Sequence, residues 1–358
     1  MRYITTDNLK PGHRLANNLA LYNNKALLLR RGKELTPALI RKISALGYQG
    51  LYIEDELSQG LEITDVISSD LRTKTRCELQ LLFLNVSTNT TGNIKKHFNT
   101  LKTLSKKIVD EVLRNRTTMV NLVDLRAYDD YTYSHSLNVA VLSIIIGMAL
   151  KLNHDTIQEL AIGALIHDIG KMRVDKSILN KPGKLTPEEF EHMKQHSLLG
   201  YEYLLNNTDI SEKSKLATLY HHERLDGKGY PEGLAGEDIP LYSRIISVAD
   251  VYDALTSDRP YRKAMLPSDA IEYIMGSYGT AFDPRIVDAI TRKVAPYPIG
   301  TCVRLSNDEI GIVVKNYENT SLRPVVKLIK DNKPTDKVLD LTHDRSCLHI
   351  TVKEIINL

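Results

Sequence analysis

His135, His167, His196 and the adjacent pair His221-His222 lie close together in a 358-residue chain, in apolar or glycine-rich settings. The central element is Leu165-Ile166-His167-Asp168-Ile169-Gly170-Lys171. Here an imidazole and a carboxylate stand side by side at the end of an apolar run, where both can reach one buried cation. The carboxylate can bridge two ions, which a neutral imidazole cannot. Asp250 closes a second apolar run, Ile246-Ser247-Val248-Ala249-Asp250. Singly, each of these residues reads as a satisfied core histidine or a helix cap. Together they supply imidazole and carboxylate donors without thiolate, a set that suits iron, manganese or zinc better than calcium or a structural zinc finger.

The elements that must position these side chains are mainly helical. From Tyr128 to about Val294 nearly everything reads as helix, interrupted by one glycine-rich loop. Before it, residues 63–124 form a helical connector broken by the polar run Ser87-Thr88-Asn89-Thr90-Thr91-Gly92. Ile94, Phe98, Leu101, Leu104 and Ile108 make an amphipathic stripe, expected to pack on the following domain, with a homodimer seam as the second reading. Residues 1–62 read as a small α+β module. There Leu27-Leu28-Leu29 and Gly50-Leu51-Tyr52-Ile53 suit strands, and Thr36-Pro37 starts a helix with its apolar face at Leu39, Ile40, Ile43 and Leu46. Residues 296–358 read as a small β-barrel-like module, with strands at Val303/Leu305, Ile310/Ile312/Val314 and Val325–Ile329 and a turn at Ser306-Asn307-Asp308-Glu309.

Composition narrows the function. A formal net charge of +3 is too small to argue for nucleic-acid or membrane binding by bulk electrostatics. Cys77, Cys302 and Cys347 are odd in number and far apart, which argues against a disulfide framework and fits the cytoplasm. The N-terminal MRYITTDNLKPG lacks the apolar core of a signal peptide. The most apolar window, Leu137 to Leu150, is shorter than the roughly 20 residues of a membrane helix and contains Asn138 and Ser143. It reads as a buried core helix, so no membrane span is expected.

The motifs in order carry a resemblance. His167-Asp168-Ile169-Gly170-Lys171 with His221-His222-Glu223-Arg224-Leu225-Asp226-Gly227-Lys228-Gly229-Tyr230-Pro231 closely resembles the HD-GYP signature. Lys181-Pro182-Gly183-Lys184-Leu185-Thr186, Asp258-Arg259-Pro260-Tyr261-Arg262 and Phe282-Asp283-Pro284 match as well. The resemblance covers roughly 125–295 and implies an all-helical HD-type catalytic domain that hydrolyses cyclic di-GMP. The implied metal ligands are His135, His167, Asp168, His196, His221, His222 and Asp250, with Asp168 bridging two divalent ions, iron or manganese. Lys171, Arg259 and Arg262 match positions that engage the substrate phosphate, and Asp253 and Thr256 are expected to cap and orient rather than ligate. In the family the Gly-Tyr-Pro loop is also proposed to touch diguanylate cyclases.

The chemistry fits this donor set. Two metals a few ångströms apart deprotonate a bridging water near neutral pH and neutralise the phosphate oxygens, and the hydroxide attacks in line with the departing 3′-oxygen. Lys171 and Arg259 neutralise the charge that builds on the phosphoryl group. Two rival readings stand beside this one: a slow, metal-bound receptor for cyclic di-GMP, and a phosphohydrolase acting on another cyclic dinucleotide or a nucleotide. One departure bears on metal count. Some similar domains carry a Glu four residues before the first His that helps hold a third metal; Tyr131 stands there in this chain. Its neutral phenol is a poor ligand for a hard cation. The expectation is two metals, His222 free or loosely engaged, and release of linear pGpG with slow further cleavage to GMP.

Overall fold

The N-terminal segment folds a nine-residue helix against short strands. The computed structural model describes all residues except 21–26, 47, 49, 62–64, 89–92, 116–130, 182 and 258–263. Strands β1 (Arg2–Thr5), β2 (Arg14–Leu15), β3 (Leu19–Ala20) and β4 (Leu27–Leu29) precede helix α1 (Pro37–Ala45), and β5 (Gly50–Glu54) follows it. β5 lies between β1 and β2, antiparallel to both. Thr36 caps α1 by accepting the Leu39 N–H at 3.3 Å, and Pro37 fills the first helical position, where a missing N–H costs nothing. Ile43 enters a core with Ile4, Leu15, Leu35, Leu51 and Ile53.

Helices follow: α2 (Ser69–Ser87), α3 (Ile94–Arg114), α4 (Tyr131–Ala149) and α5 (His154–Ile166), then a 3-10 turn (Ile169–Arg173). Next come α6 (Lys176–Leu179), α7 (Pro187–Lys194), α8 (His196–Asn207), α9 (Glu212–Tyr220), α10 (Leu241–Leu255), α11 (Pro267–Gly276) and α12 (Pro284–Lys293). The described residues of 66–115 and 132–293 form one compact unit; 1–65 and 294–358 form the other. The stripe Ile94, Phe98, Leu101, Leu104 and Ile108 is buried, and α3 packs on α2 and α5. α4 is apolar enough to cross a membrane by length and composition, yet most of it is buried within the helical unit, as expected of a core helix.

The C-terminal strands β6 (Cys302–Leu305), β7 (Ile310–Lys315), β8 (Val325–Lys330), β9 (Lys333–Asp340) and β10 (Val352–Ile355) make an antiparallel sheet in the order β10-β6-β7-β8-β9. Its core includes Val303, Leu305, Val313, Val326, Leu339 and Leu341. The fold is mainly α, with small modules bearing strands at both ends. β9 and β10 were not expected from the sequence. β9 reads Lys-Pro-Thr-Asp-Lys-Val-Leu-Asp and is largely exposed at a sheet edge, where no apolar alternation is required.

Candidate metal centre

Each candidate ligand sits at a helix end or inside a buried helix. His135 lies in α4; His167 is the C-cap of α5, with Asp168 opening the 3-10 turn. His196 begins α8, His221 is the C-cap of α9 with His222 next, and Asp250 lies in α10. The turn meets α8 through a close backbone approach at Gly170. A Cβ there would fall 1.9 Å from the His196 carbonyl oxygen and 2.5 Å from Gly200 N. Only glycine lets the His167-Asp168 pair approach His196 this closely.

The donors fall into two groups, His135–His167–Asp250 and Asp168–His196–His221–His222, with the donor atoms of each group within 4.8 Å of one another. Asp168 faces both. Its Oδ2 lies 3.7 Å from His135 Nε2 and 3.4 Å from His167 Nε2, while its Oδ1 lies 3.6 Å from His196 Nε2 and 3.9 Å from His221 Nε2. Asp250 Oδ1 is 3.1 Å from His135 Nε2, and its Oδ2 is 4.0 Å from His222 Nδ1.

Three rings are oriented by their own chain. Nδ1 of His167, His196 and His221 lies 2.8 Å from the carbonyl of Ala164, Met193 and Thr218 respectively, in each case three residues earlier. A carbonyl only accepts, so the proton sits on Nδ1 and the Nε2 lone pair points to the centre. His135 is held instead by a carboxylate, its Nδ1 lying 2.7 Å from Asp253 Oδ2. His222 stacks on Tyr230, the ring centroids 4.7 Å apart, and is the more exposed of the imidazoles. Lys171 Nζ lies 2.6 Å from Asp168 Oδ2.

The electrostatics separate the groups by partner. Burial alone opposes charging throughout. It pushes His196 down to about 4 against the pull of Asp168, and His222 down to about 3 beside His196. For His135, Asp250 and Asp253 overcome burial and raise it to about 9. For Asp168, Lys171 and His167 overcome burial and hold the carboxyl well below its ordinary range; His135 does the same for Asp250.

A cation fits here. His167 Nε2 and Asp168 Oδ1 are buried without a hydrogen-bond partner among the described residues, an expensive arrangement for polar atoms unless something else satisfies them. Five imidazoles and two carboxylates suit borderline divalent cations.

The structure thus brings His135, His167, Asp168, Lys171, His196, His221, His222 and Asp250 together. Arg259 and Arg262 lie outside the described residues. Asp253 orients His135, as expected of it, whereas the Thr256 hydroxyl bonds backbone carbonyls of the preceding turn, Tyr252 at 2.9 Å and Asp253 at 3.5 Å. Sequence reasoning missed Asn138, which donates to Asp253 Oδ1 at 3.0 Å, and Glu223, whose Oε1 accepts the N–H groups of Glu232 and Gly233 and closes the glycine-rich loop. The signal for Asn138 was present: a polar residue in an apolar helix, three positions after His135 and on its face. In the loop, a Cβ on Gly229 would fall 2.4 Å from Arg224 N, so the loop folds tightly on itself there.

Residues 114–286 match the HD domain family. This segment is an HD domain. Residues 302–354 match the KOW domain associated with HD domain. The chain is 42% identical over 225 residues to "Cyclic di-GMP phosphodiesterase PA4108" of Pseudomonas aeruginosa, covering 62% of this chain and 54% of that protein. It is 36% identical over 182 residues to "3'3'-cGAMP-specific phosphodiesterase 3" of Vibrio cholerae, covering 51% and 39% respectively. The chain therefore spans about half, or less, of the length of these curated relatives. Its fold is similar to that of Bd1817, an HDG"Y"P protein from Bdellovibrio bacteriovorus, at a TM-score of 0.52 and 18% identity, covering 80% of this chain and 97% of that one. The donor cluster lies wholly within the HD domain.

Proposed function

We propose that this chain is a metal-dependent phosphodiesterase of the HD-GYP type that hydrolyses a cyclic dinucleotide, cyclic di-GMP first, to linear pGpG. The observation that carries this reading is the posture of Asp168, whose two oxygens face two separate imidazole groups as a bridging ligand requires. His135, His167 and Asp250 would hold one cation, and His196 and His221 a second, with Asp168 between them and His222 at the margin. Bound iron or manganese would supply an activated water and neutralise the phosphate oxygens. The chain's own residues do the rest. The buried imidazoles fix the donors in one tautomer, Lys171 brings a positive charge beside them, and Arg259 and Arg262 are assigned to the phosphate by their place in the motif. Beyond His222, the ring of Tyr230 and the half-exposed ring of Phe190, edge-on to it at 6.5 Å, suit the bases of a nucleotide substrate. The Gly-Tyr-Pro loop is the proposed contact for diguanylate cyclase domains.

The test is a time course of products from the purified chain, prepared without oxygen and loaded with iron or manganese, on cyclic di-GMP and on 3'3'-cGAMP. Cyclic di-GMP should be the faster substrate and pGpG the first product. His167→Ala and Asp168→Ala should lose both metal and turnover. Faster hydrolysis of 3'3'-cGAMP would move the specificity to that dinucleotide. Full metal content and activity in either variant would overturn the assignment.

A further inference from the structure

The first turn of α2 is tied down at its start. The Ser68 side chain accepts the Leu71 N–H at 3.4 Å, and Glu111 of α3 accepts from Ser68 N at 2.6 Å and from its hydroxyl at 3.0 Å. From this turn, Arg72 Nη1 donates to Asn138 Oδ1 at 3.3 Å. Asn138 is wholly buried in α4, and its Nδ2 donates to Asp253 Oδ1 at 3.0 Å. Asp253 Oδ2 in turn meets His135 Nδ1 at 2.7 Å, and Nε2 on the far side of that ring points at Asp250 and Asp168.

We propose that Arg72 and Asn138 are positioning residues of the metal centre, acting through Asp253 on His135, so that helix α2 sets the affinity of one metal position. The inference rests on the two-metal reading above. A primary amide can sit in either of two orientations. A guanidinium only donates, so it selects the one with the carbonyl toward Arg72 and the NH2 toward Asp253. The reverse would set a carbonyl against a carboxylate. With Oδ1 of Asp253 occupied, its Oδ2 is held for the Nδ1–H of His135, which leaves the Nε2 lone pair to a cation. The other oriented ligands lack this dependence. His167, His196 and His221 lean on carbonyls of their own chain three residues back. His135 leans on a relay of three side chains from α10, α4 and α2, with the Ser257 hydroxyl also 3.4 Å from Asp253 Oδ2, so its support reaches outside the centre.

Manganese binding isotherms of the full chain test this, with bound metal counted per chain and circular dichroism recorded alongside. Wild type should bind two equivalents. In Asn138→Leu one equivalent should keep its affinity while the other weakens about 10–100-fold, the usual cost of losing a partner behind a metal-bound histidine. Arg72→Met should weaken the same equivalent about tenfold, the scale of one hydrogen bond to a charged group, and Arg72→Lys should recover most of it. If Asn138→Leu fails to fold, the half-buried Arg72 variants decide. Isotherms for Arg72→Met that match the wild type, or an equal loss at both equivalents, would overturn the relay alone. A wild type that binds no manganese, iron or zinc would remove the metal reading and the relay together.

Discussion

Lys171 sets its Nζ 2.6 Å from Oδ2 of Asp168, the oxygen that also faces His135 and His167. In the metal-free chain this ammonium supplies the positive charge that keeps Asp168 ionised. A cation held at the same oxygen would repel the ammonium toward solvent, where its side chain is already a quarter exposed and could meet a substrate phosphate. Lys171→Ala should therefore keep both metal equivalents and lose about ten- to a hundred-fold in kcat/KM. Parallel metal analysis and steady-state kinetics would show it. Loss of metal with the lysine would place Lys171 in the ligand scaffold instead.

Gly170 offers a sharper structural test. The Cβ of Gly170→Ala would collide with the backbone of α8 at His196 and Gly200, which cannot yield as a flexible side chain would. We expect a destabilisation of about 3 kcal/mol. The Asp168–His196–His221 group should bind metal more weakly as the turn and α8 move apart. Gly276→Ala, where a Cβ meets nothing within 4 Å, is the control and should melt close to wild type. Equal melting temperatures for the two variants would refute the packing argument.

The side chains that could do chemistry were legible because their types are rare together. Helix starts were legible where a cap precedes a proline, as at Thr36-Pro37, because capping is local. What escaped was nonlocal. The need for glycine at position 170 exists only against α8, and the link from Arg72 to Asn138 spans 66 residues. β9 escaped because an exposed edge strand needs no apolar rhythm.

A third prediction concerns pH. Arg244 Nη1 meets the buried Asp283 at 2.8 Å, tying α10 to the start of α12, and Arg285 adds a contact at 3.0 Å. Burial opposes the charge, but Arg285 and then Arg244 overcome it and hold the carboxyl below its ordinary range. A lowered carboxyl contributes stability that is present above the unfolded-state value of about 4 and is lost as pH falls through the folded one. Asp283→Asn should cost about 3 kcal/mol at neutral pH, since it strands a half-buried guanidinium. The gap to wild type should narrow below about pH 4. Denaturant titrations at several pH values would measure it, and a gap independent of pH would contradict the ion-pair account.

The fourth prediction is metal count. With Tyr131 one turn before His135, we expect two equivalents of metal and pGpG as the main early product. Tyr131→Glu should gain a third equivalent and speed the further cleavage to GMP. Three equivalents in wild type, with GMP appearing first, would reverse this expectation.

α5 and α9 both finish at the cluster, one on His167 and the other on His221. Aligned peptide dipoles leave about half a negative elementary charge at each such end. The bonds from the two rings to Ala164 and Thr218 connect those ends to Nε2. These helix ends add negative potential at His167 and His221, beside the carboxylates of Asp168 and Asp250 and against the ammonium of Lys171. That potential favours a cation at the cluster and opposes an anion there. A bound cation would offset it, so on the reading proposed above the metals would have to be in place before an anionic substrate could settle there.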